Sequence, residues 1–303
     1  MFIQFYINTR ICYKKNMSEF FTKNNVDIPS IGLGTWDLRG SQCENAIQVA
    51  LDVGYRHIDT AQMYENEKDI GNAINNSKIN RDKLFITTKI NTLVIKNDTI
   101  IDSFEKSLQN LKTDYVDLLL IHFPVFTTNL SDMLKILYKL KEDNKTKNIG
   151  ISNFNHILVR ECIDLGYEDI FCNQVEYHPY LSQKNIIEEV KKYNILPVAY
   201  CPLAKGELLD NQILLEMAKK YSKTPAQIVL RWLNQQNWIA IPKSANENRM
   251  KENMKIFDFI ISENDMNSLH SLARNYRAVP CALGTNHQID LPSKHSVNGL
   301  ELI

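Results

Sequence analysis

The sequence predicts a single (β/α)8 barrel of the α/β class, and three observations lead there. Eight short apolar runs recur at 31–34, 56–58, 84–88, 116–121, 149–151, 172–175, 196–199 and 239–241. Amphipathic helical patterns lie between them. The runs end in polar or aromatic residues: Thr35-Trp36, Asp59, Lys89, His122, Ser152-Asn153, Gln174, Tyr200 and Lys243-Ser244. A barrel gathers the carboxyl ends of all its strands at one mouth. An open doubly wound sheet, the alternative for such alternation, concentrates its site at a switch point near the first strand. Polar endings on successive units favour the barrel, and 303 residues accommodate one of ~250.

Residues 1–16 look unattached to the rest of the chain, which makes Met17 a candidate start and 17–303 the barrel with its C-terminal loop. Ala46, Ile47, Ala50 and Leu51 share one helical face, and Gly54 ends that helix. Asn66-Glu67 open the next helix, after a strand that stops at Asp59 and a loop that carries Tyr64. Ile101, Phe104, Leu108 and Leu111 recur at helical spacing, as do Met133, Leu134, Leu137 and Leu140. Ser182 is placed to cap the helix of Ile186, Ile187 and Val190. Thr224-Pro225-Ala226-Gln227 combines a capping box with proline at the first helical position. Ser262-Glu263-Asn264-Asp265 is a cap ahead of Leu269 and Leu272. These apolar stripes are core packing.

Composition narrows the function. Lys plus Arg and Asp plus Glu number 35 each, so no general field draws nucleic acid or an anionic membrane surface. The N-terminal apolar stretch is broken by Gln4, Asn8 and Arg10, too early for a signal sequence, and no run approaches the ~20 apolar residues of a membrane span. Six scattered cysteines (Cys12, Cys43, Cys162, Cys172, Cys201, Cys281) read as reduced thiols in a cytoplasmic protein. The fold completes its own site, so a monomer is expected.

Asp59, Lys89 and His122 end three consecutive strands, and Tyr64 lies on the adjoining loop. Taken singly, each has an ordinary reading: a turn carboxylate, a solvated lysine, a core histidine, a packing tyrosine. Four such groups in comparable places on successive units point instead to one constellation. An ammonium ~4 Å from a phenol at an effective dielectric of ~20 is worth about 4 kcal/mol, or some three pKa units at most. The expectation is a Tyr64 pKa drawn from ~10 towards neutrality, where general-acid transfer is efficient. His122 can orient the same substrate oxygen. The reaction that needs such an acid is carbonyl reduction, in which hydride reaches carbon and a proton reaches oxygen.

Two patterns mislead. Tyr64-Glu65-Asn66-Glu67-Lys68 matches the Tyr-x-x-x-Lys of short-chain dehydrogenases, and Gly32-Leu33-Gly34 begins a dinucleotide fingerprint whose third glycine position holds Asp37. Without that fingerprint the dehydrogenase reading fails. His57, Asp59 and His122 lack further partners at metal-ligand spacing, so no metal is expected. A dinucleotide would instead meet Lys243, Ser244 and Arg249, two cations and a hydroxyl at a strand end and helix start. That set suits a 2′-phosphate, hence NADPH. Tyr200 is placed to stack on the nicotinamide, with Ser152, Asn153 and Gln174 for its carboxamide.

These residues resemble the aldo-keto reductase family from about Val26 to Ser293. The resemblance is carried by Gly54-Tyr55-Arg56-His57-Ile58-Asp59-Thr60-Ala61, Thr87-Thr88-Lys89, Leu120-Ile121-His122, Gly150-Ile151-Ser152-Asn153-Phe154, Asn173-Gln174-Val175-Glu176-Tyr177-His178-Pro179 and Ile241-Pro242-Lys243-Ser244. It implies a catalytic tetrad of Asp59, Tyr64, Lys89 and His122. It also implies NADPH contacts at Ser152, Asn153, Gln174, Tyr200, Pro202, Leu203, Lys243, Ser244, Arg249, Glu252 and Asn253, with Trp36 and Phe123 at the substrate pocket. The stretches 59–67 and 81–90 are most similar to the bacterial 2,5-diketo-D-gluconate reductase B group, which implies methylglyoxal and other small aldehydes as substrates. Phe123 stands where a tryptophan is common, Cys201 where a serine is frequent, and Asn91-Thr92-Leu93 where a Trp-Asn pair is usual. The tail from Tyr276 is expected to close over the pocket. Because the fold also serves in potassium-channel β subunits, a cofactor-sensing regulatory subunit is the competing reading. A metal hydrolase on the same barrel is a third.

Overall fold

A computed structural model describes residues 19–92, 96–124 and 129–279. The proposed start at Met17 and the tail beyond Val279 lie outside the described residues. The chain opens with an antiparallel hairpin, β1 (Phe20–Lys23) and β2 (Val26–Pro29), that no pattern in the sequence announces. Its turn residues Asn24 and Asn25 both have positive φ, 52° and 60°, a left-handed pair asparagine tolerates better than most residues.

Eight parallel strands come next in unbroken neighbour order: β3 (Leu33–Gly34), β4 (His57–Asp59), β5 (Phe85–Ile90), β6 (Leu118–Ile121), β7 (Ile149–Ser152), β8 (Cys172–Glu176), β9 (Leu196–Tyr200) and β10 (Ile239–Ile241). Bridges from Ile31 to Ala240 and from Gly34 to Lys243 bring the first strand back to the last, completing the expected (β/α)8 barrel. Between them run α1 (Gly40–Val53), α2 (Glu67–Asn76), α3 (Ile100–Leu111), α4 (Leu130–Glu142), α5 (His156–Asp164) and α6 (Lys184–Lys192). Both α7 (Gln212–Tyr221) and α8 (Pro225–Gln235) precede β10, and α9 (Glu247–Met254) and α10 (Glu263–His270) come after it. None of the described helices is long and apolar enough to cross a membrane.

The expected boundaries shift slightly. Asp59 is the last residue of β4, as expected, whereas β5 runs one residue past Lys89, to Ile90. Gly54 ends α1 with φ 113°, and the Thr224–Gln227 capping box forms. Ser262 caps α10 by accepting from the Asp265 N–H. Ser182 caps nothing: α6 starts one residue later than that cap would allow, with Gln183 at its N-cap and no side-chain bond. On α3 it is Ile100 that is buried, while Ile101 is 47% exposed. The two differ by one position, about 100° of rotation around the axis.

Two apolar layers result from strand alternation. Outward residues such as Ile58, Ile86, Leu119, Ile121, Ile151 and Val175 pack beneath the helices. Inward residues Phe85, Leu118, Leu120, Cys172, Val198 and Ile239 form a second cluster inside the barrel, joined by Phe21 and Ile28 of the hairpin. Since Phe85, Leu118, Cys172 and Ile239 are the first residues of their strands, the hairpin closes the amino-terminal end. Two glycines make room within the wall. A Cβ on Gly150 would lie 2.6 Å from Leu120 and 2.9 Å from the Cys172 sulfur, and one on Gly34 would lie 2.7 Å from the Ile241 carbonyl oxygen.

His57, inward and buried on β4, sits above this plug with Nε2 3.2 Å from Thr87 Oγ1. Burial pushes its pKa down to about 4, against the pull of Asp59. A group whose folded pKa lies below its unfolded value of ~6.5 binds protons preferentially when unfolded. The stability it contributes is complete above pH ~6.5 and is lost as pH falls through that value towards 4, about 3 kcal/mol at most. Urea unfolding across pH 7 to 4 should therefore show a smaller loss of stability in His57→Gln than in the parent. An identical slope in both would assign the acid sensitivity to other groups.

Candidate active site

The polar residues that end the strands meet at the carboxyl end of the barrel. Asp59 pairs in register with Thr87, two residues before Lys89, and Lys89 pairs with Leu120, two residues before His122. All of these point inward by alternation. Lys89 is fully buried, with its ammonium 2.5 Å from Asp59 Oδ1 and donating to the Thr60 carbonyl at 2.8 Å. The second carboxylate oxygen of Asp59 accepts from Gln174 Nε2 at 2.7 Å. Burial works to lower the Lys89 pKa, but Asp59 and Tyr64 outweigh it and hold it above the ordinary lysine value. Lys89 is a permanent cation inside the protein.

Tyr64 closes a 3-10 turn, Gln62–Tyr64, that ends where Glu65 turns left-handed at φ 56°. Its ring centre lies 5.0 Å from the Lys89 ammonium and 5.7 Å from the His122 ring, edge to face with the latter at 77°. Here the expectation of an acidic phenol is corrected. Burial raises the Tyr64 pKa more than the charge and hydrogen bond of Lys89 lower it, and Asp59 adds to the rise, so it lies above the usual value. Coulomb's law alone leaves out desolvation. The proton therefore rests on the phenol. His122 is held well below its ordinary pKa by burial and then by Lys89, so its imidazole is neutral, and its Nδ1 has no hydrogen-bond partner. The Phe123 ring stacks on it at 4.5 Å.

Sequence reasoning missed the struts that hold this turn. Asn66, read as the start of a helix, is a buried brace: it donates to the carbonyls of Thr35 and Leu38 at 2.8 and 2.9 Å and accepts from Thr60 Oγ1 at 2.7 Å. Gln62 accepts from the Asn91 N–H at 2.8 Å and so ties the Tyr64 turn to the end of the Lys89 strand. Thr35 binds the Asp59 carbonyl through both its N–H and its hydroxyl. The only cue in the sequence was the density of Asn, Gln and Thr around Tyr64.

The expected cofactor residues fall into two groups. Ser152, Asn153, Gln174 and Tyr200 surround the constellation. The Tyr200 hydroxyl donates to Asn153 Oδ1 at 3.0 Å, Asn153 Nδ2 donates to the His122 carbonyl at 2.8 Å, and Ser152 Oγ donates to the Gln174 carbonyl at 2.9 Å. Asn153 takes φ 66° to do so. These side chains frame the site as much as they face it. Pro202 and Leu203 come after Tyr200 in a stretch where Cys201, Ala204, Lys205 and Gly206 are all left-handed, a strained path for three non-glycine residues. Burial pushes the Cys201 thiol up to about 11, so it stays protonated.

The second group lies at α9. Lys243 and Arg249 are exposed, Ser244 is buried, and Asn246 caps the helix by accepting from the Arg249 N–H at 3.0 Å. Glu252 is half-buried, and Asn253 is buried with its side chain on the Tyr55 phenol. Of the two expected pocket aromatics, Phe123 lies on His122, while Trp36 is 56% exposed with the Lys205 ammonium 5.7 Å from its ring. Among the described residues no group of three or more His, Cys, Asp or Glu side chains is arranged to hold a metal ion.

A barrel mouth with a buried ion pair, a protonated phenol above the cation and a neutral imidazole beside it defines a site that can hold and deliver a proton. The chain belongs to the aldo/keto reductase family, whose sequence model matches residues 30–274. It is 39% identical over 258 residues to a glyoxal reductase of Bacillus subtilis, covering 85% of this chain and 93% of that one. It is 39% identical over 257 residues to methylglyoxal reductase DkgB of Yersinia pestis, with 84% and 96% covered. The structure matches that of a putative 2,5-diketo-D-gluconic acid reductase B with TM-score 0.80 and 38% identity, over 85% of this chain and 93% of that one. The protein is accordingly an oxidoreductase of a carbonyl-reducing family.

Proposed function

We propose that this protein reduces small aldehydes and ketones with NADPH, Tyr64 supplying the proton. The observation that carries the reading is the buried Lys89–Asp59 pair beneath a protonated phenol, beside an uncharged His122. The names of the two bacterial relatives favour 2-oxoaldehydes such as methylglyoxal as substrates.

The residues present fit a nicotinamide dinucleotide. Tyr200 is half-buried at the end of β9 with its hydroxyl bonded to Asn153, a place from which its ring would meet a flat nicotinamide. Lys243, Ser244 and Arg249 surround the start of α9, where the helix end favours anions. When bound, the dinucleotide supplies hydride to the carbonyl carbon. The neutral His122 donates a hydrogen bond to the carbonyl oxygen and orients it towards Tyr64. Tyr64 passes its proton to that oxygen as negative charge grows there. Lys89 stabilises the phenolate left behind, and Asp59, braced by Gln174, keeps the ammonium in place. Buried cysteines held as free thiols accord with action in the cytoplasm.

The decisive assay is NADPH oxidation over a panel of methylglyoxal, diketogluconate and aromatic aldehydes. Turnover on one or more is expected; tight NADPH binding without turnover on any would favour a cofactor-sensing subunit. The choice of cofactor has its own test. Arg249→Ala should weaken NADPH by roughly 10- to 100-fold, the worth of a charged hydrogen bond, and leave NADH nearly unchanged. Equal losses for both would mean that Arg249 does not read the 2′-phosphate.

A further inference from the structure

Gln62 opens the turn that carries Tyr64, and its side chain is tied to two other elements. Its Oε1 accepts from the Asn91 N–H at 2.8 Å, just past the end of β5. Its Nε2 donates to Ser107 Oγ and Ser103 Oγ of α3, at 3.0 and 3.3 Å. The Ser103 hydroxyl already donates to the Ile100 carbonyl at 2.8 Å, so it offers the amide only lone pairs. That fixes which end of the amide meets Asn91. The next residue carries the course onward. Thr92 is buried, and its N–H folds back on the Ile90 carbonyl at 2.9 Å. Its hydroxyl donates to the Phe123 carbonyl at 2.8 Å and accepts from the Phe123 N–H at 3.3 Å. Phe123 in turn lies on the His122 ring, 4.5 Å between centres and 22° from parallel.

A continuous course thus runs from the Tyr64 turn to His122 without passing through Lys89 or Asp59. It is separate from Asn66, which braces the same turn against Thr35, Leu38 and Thr60. The two rings it joins stand edge to face, 5.7 Å apart. Tyr64 sits on its 3-10 turn and His122 follows the last residue of β6, so both lie outside the sheet and strand pairing does not set their separation. We propose that Gln62 and Thr92 are positioning residues that set the separation of Tyr64 and His122, and with it the alignment of the proton on the carbonyl oxygen. Both act through those two side chains. A misplacement of ~1 Å can cost about 100-fold in rate, so the loss of such a tie falls on kcat. This rests on the reading of Tyr64 as the acid and His122 as the orienting group.

The test uses the full chain and NADPH-dependent reduction of methylglyoxal. Gln62→Met keeps the length of the side chain without its amide, and Thr92→Val keeps its shape without the hydroxyl. Each should lower kcat roughly 10- to 100-fold, with KM and NADPH affinity within about threefold of the parent. The solvent deuterium isotope effect on kcat should rise in both, because proton delivery then limits turnover. A residue that only supports the fold would lower stability and leave that effect as it was. Thr92→Ser, which keeps the hydroxyl, should bring kcat back to within about threefold of the parent. Because one course is cut at either point, the double variant should be no slower than the slower single change. Losses that multiply, a Thr92→Ser as slow as Thr92→Val, or an unchanged isotope effect would overturn the proposal. If the parent reduces no carbonyl, the carbonyl-reducing assignment has failed, and the ties are judged without turnover. Gln62→Met should then shift the His122 imidazole signals in nuclear magnetic resonance spectra, although Gln62 does not bond to His122. Unmoved signals would refute the tie.

Discussion

Tyr64→Phe should lower kcat for carbonyl reduction by roughly 10²–10⁴, the usual range for losing a positioned acid, and leave NADPH affinity and stability close to those of the parent. The ring stays, so its edge contact with His122 and its face towards Lys89 stay too. Only the oxygen that carries the proton is removed. The raised pKa sharpens the expectation: burial keeps the phenol loaded at neutral pH, and the adjacent ammonium lowers the energy of the phenolate only as it forms. The reduction rate of the parent should then hold steady as pH rises towards the ordinary phenol value of ~10. Activity of Tyr64→Phe within a few-fold of the parent would assign the proton to another donor, with His122 first in line.

The order of strands and helices was legible because each barrel unit repeats the same signal, an apolar run followed by an amphipathic one. Asp59, Lys89 and His122 were legible for a related reason: the last inward residue of a barrel strand always faces the mouth, so strand ends name the site before any contact is known. What escaped the sequence depended on distance or on environment. The hairpin carries only two buried apolar side chains, Phe21 and Ile28, and turns at Asn24-Asn25 without the glycine that marks such turns. Glu176, buried at the end of β8, has His178 beside it, but the other partners of its carboxylate lie about a hundred residues away, beyond any local pattern. Asn66 comes just after the turn of Tyr64 and reads as a helix start, yet its side chain caps nothing and faces inward. The direction of the Tyr64 shift was misjudged because proximity to Lys89 can be read from strand order, whereas burial cannot.

The ion pair beneath the phenol allows an experiment that separates stability from chemistry. Lys89→Met should destabilise the fold by about 3–5 kcal/mol, because it leaves Asp59 buried with only the Gln174 amide against its charge. Adding Asp59→Leu removes the second charge, and much of that loss should return, since a buried pair replaced by apolar side chains is often neutral. Recovery should stop short of complete. The Thr60 carbonyl and Gln174 Nε2 each lose a partner, at about 1–3 kcal/mol per unsatisfied group unless neighbours rearrange. Activity should take the opposite course and stay lost in both variants, because the phenolate formed at Tyr64 then has no counter-charge. Urea unfolding and NADPH oxidation on the same three proteins read the two courses independently. A double variant as unstable as the sum of its single changes would mean that the charges are not each other's partners, and activity returning with stability would mean that Lys89 serves the fold alone.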